Sequence, residues 1–271
     1  MRAVTTIAFL MVLISSCSGT QGSLPSPSIQ PTDTLIASPS VVQTPSVVTT
    51  TPTISPPSYP VEQVSFTTSD GINLSGRLFG EGDTAIILAH QGTPGADKRT
   101  WYPFAGLLAE NGYAALAFDF RGLGGSEGPL LFANLGMDVA AAVNFLESRG
   151  YTRIACVGAS MGGTACIQVA RDYAFIGLVI LASTMTAGPG ADCLCLGPEY
   201  FEGLSAPKLF VSAEADASVV VWSTKRMFEI SPEPKSLLML SGTRHGTDLF
   251  GTDVGPELSS AIFEFLQSLS S

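Results

Sequence analysis

The sequence predicts an α/β fold, a mostly parallel eight-stranded sheet flanked by helices, and three observations lead there. First, six continuous apolar runs lie at 84–90, 114–120, 153–159, 177–183, 207–216 and 236–242. They have the length of strands and no polar side, as expected of strands covered on both faces. Second, helix-compatible segments at about 98–111, 134–149, 161–170, 218–230 and 256–268 separate most of these runs or follow the last of them. Strand and helix in alternation imply parallel pairing with right-handed crossovers. Third, two segments that precede all of these, "VEQVSFTT" and "GINLSGRLFG", alternate polar and apolar residues around the turn "SDG". That pattern is a hairpin, and it predicts an antiparallel edge on the sheet.

The chain before residue 60 has a different character. It opens "MRAVTTIAFLMVLISSC", with a positive charge at Arg2 and an apolar core from Thr5 to Ile14 that is too short for a stable bilayer span. Small residues then lead to Cys17. This resembles a bacterial lipoprotein signal, which implies lipidation of Cys17, export, and anchoring to a membrane on its outer side. An ordinary signal peptide with an incidental cysteine is the alternative, and it exports the protein equally. Residues 18–59 are dominated by Ser, Thr, Pro and Val, with Asp33 the only charge and prolines at 25, 27, 31, 39, 45, 52, 56 and 57. Prolines so spaced exclude a helix, and no apolar period is present, so the segment reads as a disordered tether. A flexible chain of this length spans roughly 35 Å, more with proline stiffening. The folded domain is expected over 60–271.

Composition narrows the function. The net charge is −10 with 13 Lys and Arg, and no basic cluster occurs anywhere in the chain. A nucleic-acid partner is thereby excluded. Beyond Cys17 there are four cysteines. Cys156 and Cys166 lie in apolar runs and are expected as small buried hydrophobes. Cys193 and Cys195 share a loop, and a bridge between residues two apart closes so tight a ring that this pairing is not expected. The spacing of the four fits no zinc site, and no motif implies a metal or an organic cofactor.

The chemistry concentrates at "CVGASMGG", 156–163, where a predicted strand meets a predicted helix. Ser160 has glycine two residues away on either side. A sharp turn of this kind lifts a serine hydroxyl above the sheet and tolerates only small neighbours. A serine needs a base to take its proton, and histidine suits that near neutral pH. The chain has two histidines. His245 follows the last strand, whereas His90 lies in a loop after an early strand and is expected to be structural, bonded to nearby backbone. Asp216, at the end of the penultimate strand, is the expected acid that orients His245. Glu214 and Asp248 are its rivals.

The order Ser160, Asp216, His245 resembles the triad of the α/β-hydrolase family, and the resemblance extends from about residue 60 to the end. "AFDFRGLGGSEG" (117–128) is similar to the family's segment after its fourth strand, and "AHQG" (89–92) to its loop after the third. The resemblance implies an oxyanion hole from the backbone N–H groups of Gly92 and Met161. Gln91 stands where the family has glycine, and is itself the fallback donor. The small dienelactone-hydrolase-like and secreted esterase-like members are most similar. The implied activity is that of a serine hydrolase, a carboxylesterase working through an acyl-enzyme on a small-molecule ester. A peptidase or thioesterase of the same fold, or a catalytically silent envelope-binding lipoprotein, are the alternatives. The interval 184–206, rich in Gly and Pro, implies a minimal cap with a single helical turn and an open site. Asp119 and Arg121 are expected to tie loops together. Trp101 and Phe104, which could line a pocket, are expected in the core. The 218–230 helix with Trp222 is expected to pack on the sheet.

Overall fold

A computed structural model describes residues 57–269, within a compact unit of 54–271. The expected signal sequence, Cys17 and nearly all of the expected tether therefore lie outside the described residues.

The main sheet has eight strands: β1 (Val61–Thr67), β2 (Asn73–Phe79), β3 (Thr84–Ala89), β4 (Ala114–Phe118), β5 (Arg153–Ala159), β6 (Gly177–Leu181), β9 (Lys208–Ala213) and β10 (Lys235–Leu240). Their spatial order is β1-β2-β4-β3-β5-β6-β9-β10. β1 and β2 form the antiparallel edge, β2 pairs antiparallel with β4, and every other pair is parallel. From β3 the chain passes to β4 on one side and then to β5 on the other, and Ala89 of β3 lies beside Gly158 of β5. Ligands of such sheets bind outside the C-terminal ends of the strands.

Strand side chains divide between two cores with a period of two. Ala85, Ile87 and Ala89 join Ala114, Leu116 and Phe118 under α2 (Leu135–Ser148) and α3 (Met161–Val169). Ile86 and Leu88 join Ala115 and Ala117 under α1 (Tyr102–Glu110) and α5 (Gly255–Ser268). Alternation across a doubly covered sheet explains why the sequence shows unbroken apolar runs here. Trp101 and Phe104 belong to the second core, with relative exposures of 0% and 2%.

α4 (Ser218–Ile230) packs through Val220, Ser223, Thr224 and Met227, but Trp222 does not take part. It is 61% exposed, one turn along from the exposed Val219. The helix is where the sequence predicts it, and Trp222 occupies its solvent face because the buried stripe falls at 220, 223, 224 and 227.

The cap is small. It consists of the two-residue strands β7 (Thr186–Ala187) and β8 (Leu194–Cys195) and one 3-10 turn, Pro198–Tyr200. The pair of short strands is not foreseen in the sequence, where two residues carry too little pattern to read.

Both cysteine expectations need correction. Cys156 and Cys166 are fully buried as expected, but they form a disulfide, with Cα atoms 6.2 Å apart. β5 and α3 fold back on each other at Ser160, so residues four before and six after the turn face one another. Cys193 and Cys195 are also bonded, with Cα atoms 5.3 Å apart. In extended backbone, residues two apart present their side chains on the same face.

Candidate active site

Ser160 occupies the turn between β5 and α3 with φ 52° and ψ −120°. Positive φ is uncommon for a residue with a side chain and marks stored strain at functional turns. The surroundings show what holds it there. A Cβ on Gly158 would come within 2.5 Å of the backbone at Gly162 and Gly163, and one on Gly162 would overlap the Ala89 carbonyl. The two glycines thus let strand, helix and the end of β3 close on the serine at once. Backbone bonds complete the clamp: Ser160 N–H donates to Leu181 O at 2.8 Å, and Ser160 O accepts from Gly163 N–H at 3.0 Å. Among the described residues its hydroxyl makes no hydrogen bond and is free to act.

The histidine arrives from β10. His245 lies in the loop after that strand, and its Nδ1 meets Asp216 Oδ2 at 2.8 Å. The acceptor is a carboxylate, so the Nδ1 hydrogen points at it, and Nε2 has no bonded partner among the described residues. Asp216, in the turn after β9, is held in turn by Ala217 N–H on Oδ1 at 2.6 Å. Its side chain is 5% exposed and that of His245 24% exposed. Both rivals are set aside by this geometry: Glu214 and Asp248 are exposed, and neither bonds the imidazole. Gly246, next to His245, brings the loop onto the elbow, since a Cβ there would lie 3.6 Å from Ala159 Cβ.

Two backbone N–H groups border the same turn. A Cβ on Gly92 would meet Met161 Sδ at 2.7 Å, so these two residues, predicted from distant stretches, are in contact. Among the described residues neither Gly92 N–H nor Met161 N–H is bonded to an acceptor. Met161 is also the first residue of α3, where the helix dipole favours negative charge. Gln91, the fallback donor, is 1% exposed, and its side-chain amide is spent on Thr247 and Thr93, which leaves only its backbone N–H for that role.

His90 is structural, as expected. It is fully buried, with Nδ1 against Gln91 O at 2.7 Å and Nε2 accepting from Phe120 N–H at 3.2 Å. Burial pushes its pKa below the ordinary value. Asp119 and Arg121 tie loops together, also as expected. Asp119 accepts from Lys98 and from Gly125 N–H, and Arg121 bridges Asp70 and Asp138. The Arg121 guanidinium holds the Asp70 carboxyl well below the usual carboxylate range.

Two cavities of about 710 and 740 Å³ lie elsewhere. The first is lined by Gly80–Asp83 and Arg149–Arg153, at the sheet edge opposite Ser160, and the second by Ala170–Phe175 and Glu202–Pro207. Neither holds a residue of the site.

The profile of the alpha/beta hydrolase family matches residues 86–260. Among curated proteins, the uncharacterized protein YfhR of Escherichia coli K12 is 27% identical over 238 residues, which cover 79% of this chain and 83% of YfhR. Among solved structures, the Pyrococcus furiosus esterase Pf2001 superposes with a TM-score of 0.65 at 20% identity, over 78% of this chain and 93% of the esterase. A thermophilic esterase from Thermogutta terrifontis superposes with a TM-score of 0.64 at 18% identity, over 78% of this chain and all of that one. The fold is therefore that of these esterases, and the chain belongs to the alpha/beta hydrolase family.

Proposed function

We propose that the protein is a serine hydrolase that cleaves carboxylic esters through an acyl-enzyme. One observation carries the reading: an imidazole oriented by a buried carboxylate sits in a loop packed on the strained turn that exposes Ser160. Ser160 Oγ attacks the ester carbonyl while His245 Nε2 takes its proton. The oxyanion that forms is met by the N–H groups of Gly92 and Met161, donors worth a few kcal/mol of barrier each. His245 then gives its proton to the alkoxide, the C–O bond breaks and the alcohol leaves. Water, deprotonated by His245, attacks the acyl-enzyme, and Ser160 regains the proton. Every step is a proton or acyl transfer, so no cofactor enters.

The small cap supports short acyl esters or bulky, surface-presented substrates rather than long chains needing a covered tunnel. The esterase neighbours support an ester ahead of an amide or thioester. Export with a lipid on Cys17 belongs to the same proposal, supported by the signal-like N-terminus and by two disulfides, which persist in oxidising compartments.

The test is intact mass of the full chain after exposure to a fluorophosphonate. A single adduct is expected on the wild type, and none on Ser160→Ala or His245→Ala. A folded wild type that takes no adduct would refute the hydrolase and favour a binding protein. Side-by-side ester, thioester and amide substrates then separate the three hydrolase classes.

A further inference from the structure

Gln91 is the departure from the family pattern, and both ends of its side-chain amide are hydrogen-bonded. Oε1 accepts from Thr247 N–H at 2.7 Å and from the Thr247 hydroxyl at 3.1 Å, and Nε2 donates to Thr93 Oγ1 at 3.0 Å. Thr247 stands two residues after His245, and Thr93 follows Gly92. One buried amide therefore joins the loop that carries the base to the loop that carries an oxyanion donor. Gly246, between His245 and Thr247, has φ +57°, and a Cβ on it would overlap Gln91 Oε1. The backbone beside the base thus lies directly on the amide. A glycine at position 91 would have no group to accept the Thr247 N–H, whose residue is buried.

We infer that Gln91 is a positioning residue: its amide fixes the spacing between His245 and the Gly92 N–H, so that proton transfer and oxyanion binding occur in one geometry. The inference rests on the serine-hydrolase reading. It assigns Gln91 no contact with the reacting atoms. Small displacements of catalytic groups cost rate rather than binding, up to about 100-fold for about 1 Å.

The experiment compares the full-length wild type with Gln91→Met, which keeps the volume and loses the bonds, and Gln91→Glu, which keeps the oxygen acceptor. Turnover of p-nitrophenyl acetate is read beside proton NMR of the imidazoles, which is simple in a chain with two histidines. For Gln91→Met we expect kcat to fall about 10- to 100-fold with KM within about twofold. The downfield His245 Nδ1–H resonance should broaden, while the buried His90 Nδ1–H resonance persists and reports an intact loop. Gln91→Glu should recover most of the lost kcat. Wild-type kcat and an unchanged His245 resonance in Gln91→Met would overturn the inference, as would a Glu variant no faster than the Met variant. If Gln91→Met also loses the His90 resonance, and with it the fold, the double variant Thr93→Val and Thr247→Val replaces it. That variant removes two of the three bonds and leaves the amide held only by the Thr247 N–H, and an unchanged kcat and His245 resonance would overturn the inference. Should the wild type neither turn over nor take a fluorophosphonate, the hydrolase reading fails by itself, and the His245 resonance alone decides whether the amide orders that loop.

Discussion

The two histidines of this chain, one on each of two neighbouring loops, show how surroundings can close a side chain off or leave one of its nitrogens open. His90 is sealed between two backbone groups, a carbonyl on Nδ1 and an N–H on Nε2, with no exposed surface. Both nitrogens are spent, and only the neutral ring fits. His245 has one nitrogen spent on a carboxylate and its side chain 24% exposed. The difference lies in the anchors: an anion that leaves the second nitrogen open on His245, and two backbone groups that use both nitrogens on His90. Under the proposed function, only the first arrangement can serve as a base.

The comparison can be broken most forcefully at the anchor. Asp216→Asn replaces the anion with an amide that can hold His245 in the wrong tautomer. A loss of kcat of about 10³- to 10⁴-fold on p-nitrophenyl acetate is expected, with the fold retained in circular dichroism. A loss under tenfold would mean that the carboxylate only steadies the loop. A smaller effect is expected at the other ring. His90→Leu leaves Phe120 N–H and Gln91 O without their partner in a fully buried site. It should lower unfolding stability by about 1–3 kcal/mol in urea denaturation.

The smallest effect is the pH dependence that separates them. Burial holds the folded His90 pKa below its ordinary value, so the unfolded chain binds the proton more readily. Its contribution to stability is complete above about pH 6.5 and falls as pH drops below that value. The slope approaches about 1.4 kcal/mol per pH unit. Subtracting the His90→Leu curve from the wild-type curve isolates this component. A flat difference between pH 7 and pH 5 would show that the folded state accommodates the charged ring.

Much of this was readable before any coordinates. The apolar runs locate six strands, β3 to β6, β9 and β10, to within a few residues; five are covered on both faces and have no polar positions to confuse the period, whereas β10 lies at the sheet edge and is half-buried. Asp216 and His245 follow from chain order, and their hydrogen bond agrees. Trp222 was less legible, since a helix presents an apolar residue to solvent without any local signal. The disulfide between Cys156 and Cys166 is not legible in the sequence, because which strand and helix positions face each other across the elbow is set by the packing of β5 on α3.

The sequence by itself determined the elements, their order and the residue types able to do the chemistry, because periodicity, turn residues and titratable groups are local properties. Only the tertiary structure decided which distant residues meet. Gln91 and Thr247 are 156 positions apart, and nothing in either stretch announces the bond between them. Gly92 meets Met161, Asp216 meets His245, and Gly246 meets the turn of Ser160, because parallel strands deliver their C-terminal ends to one edge of the sheet. That convergence belongs to the packing of the whole sheet, and no window of the chain contains it.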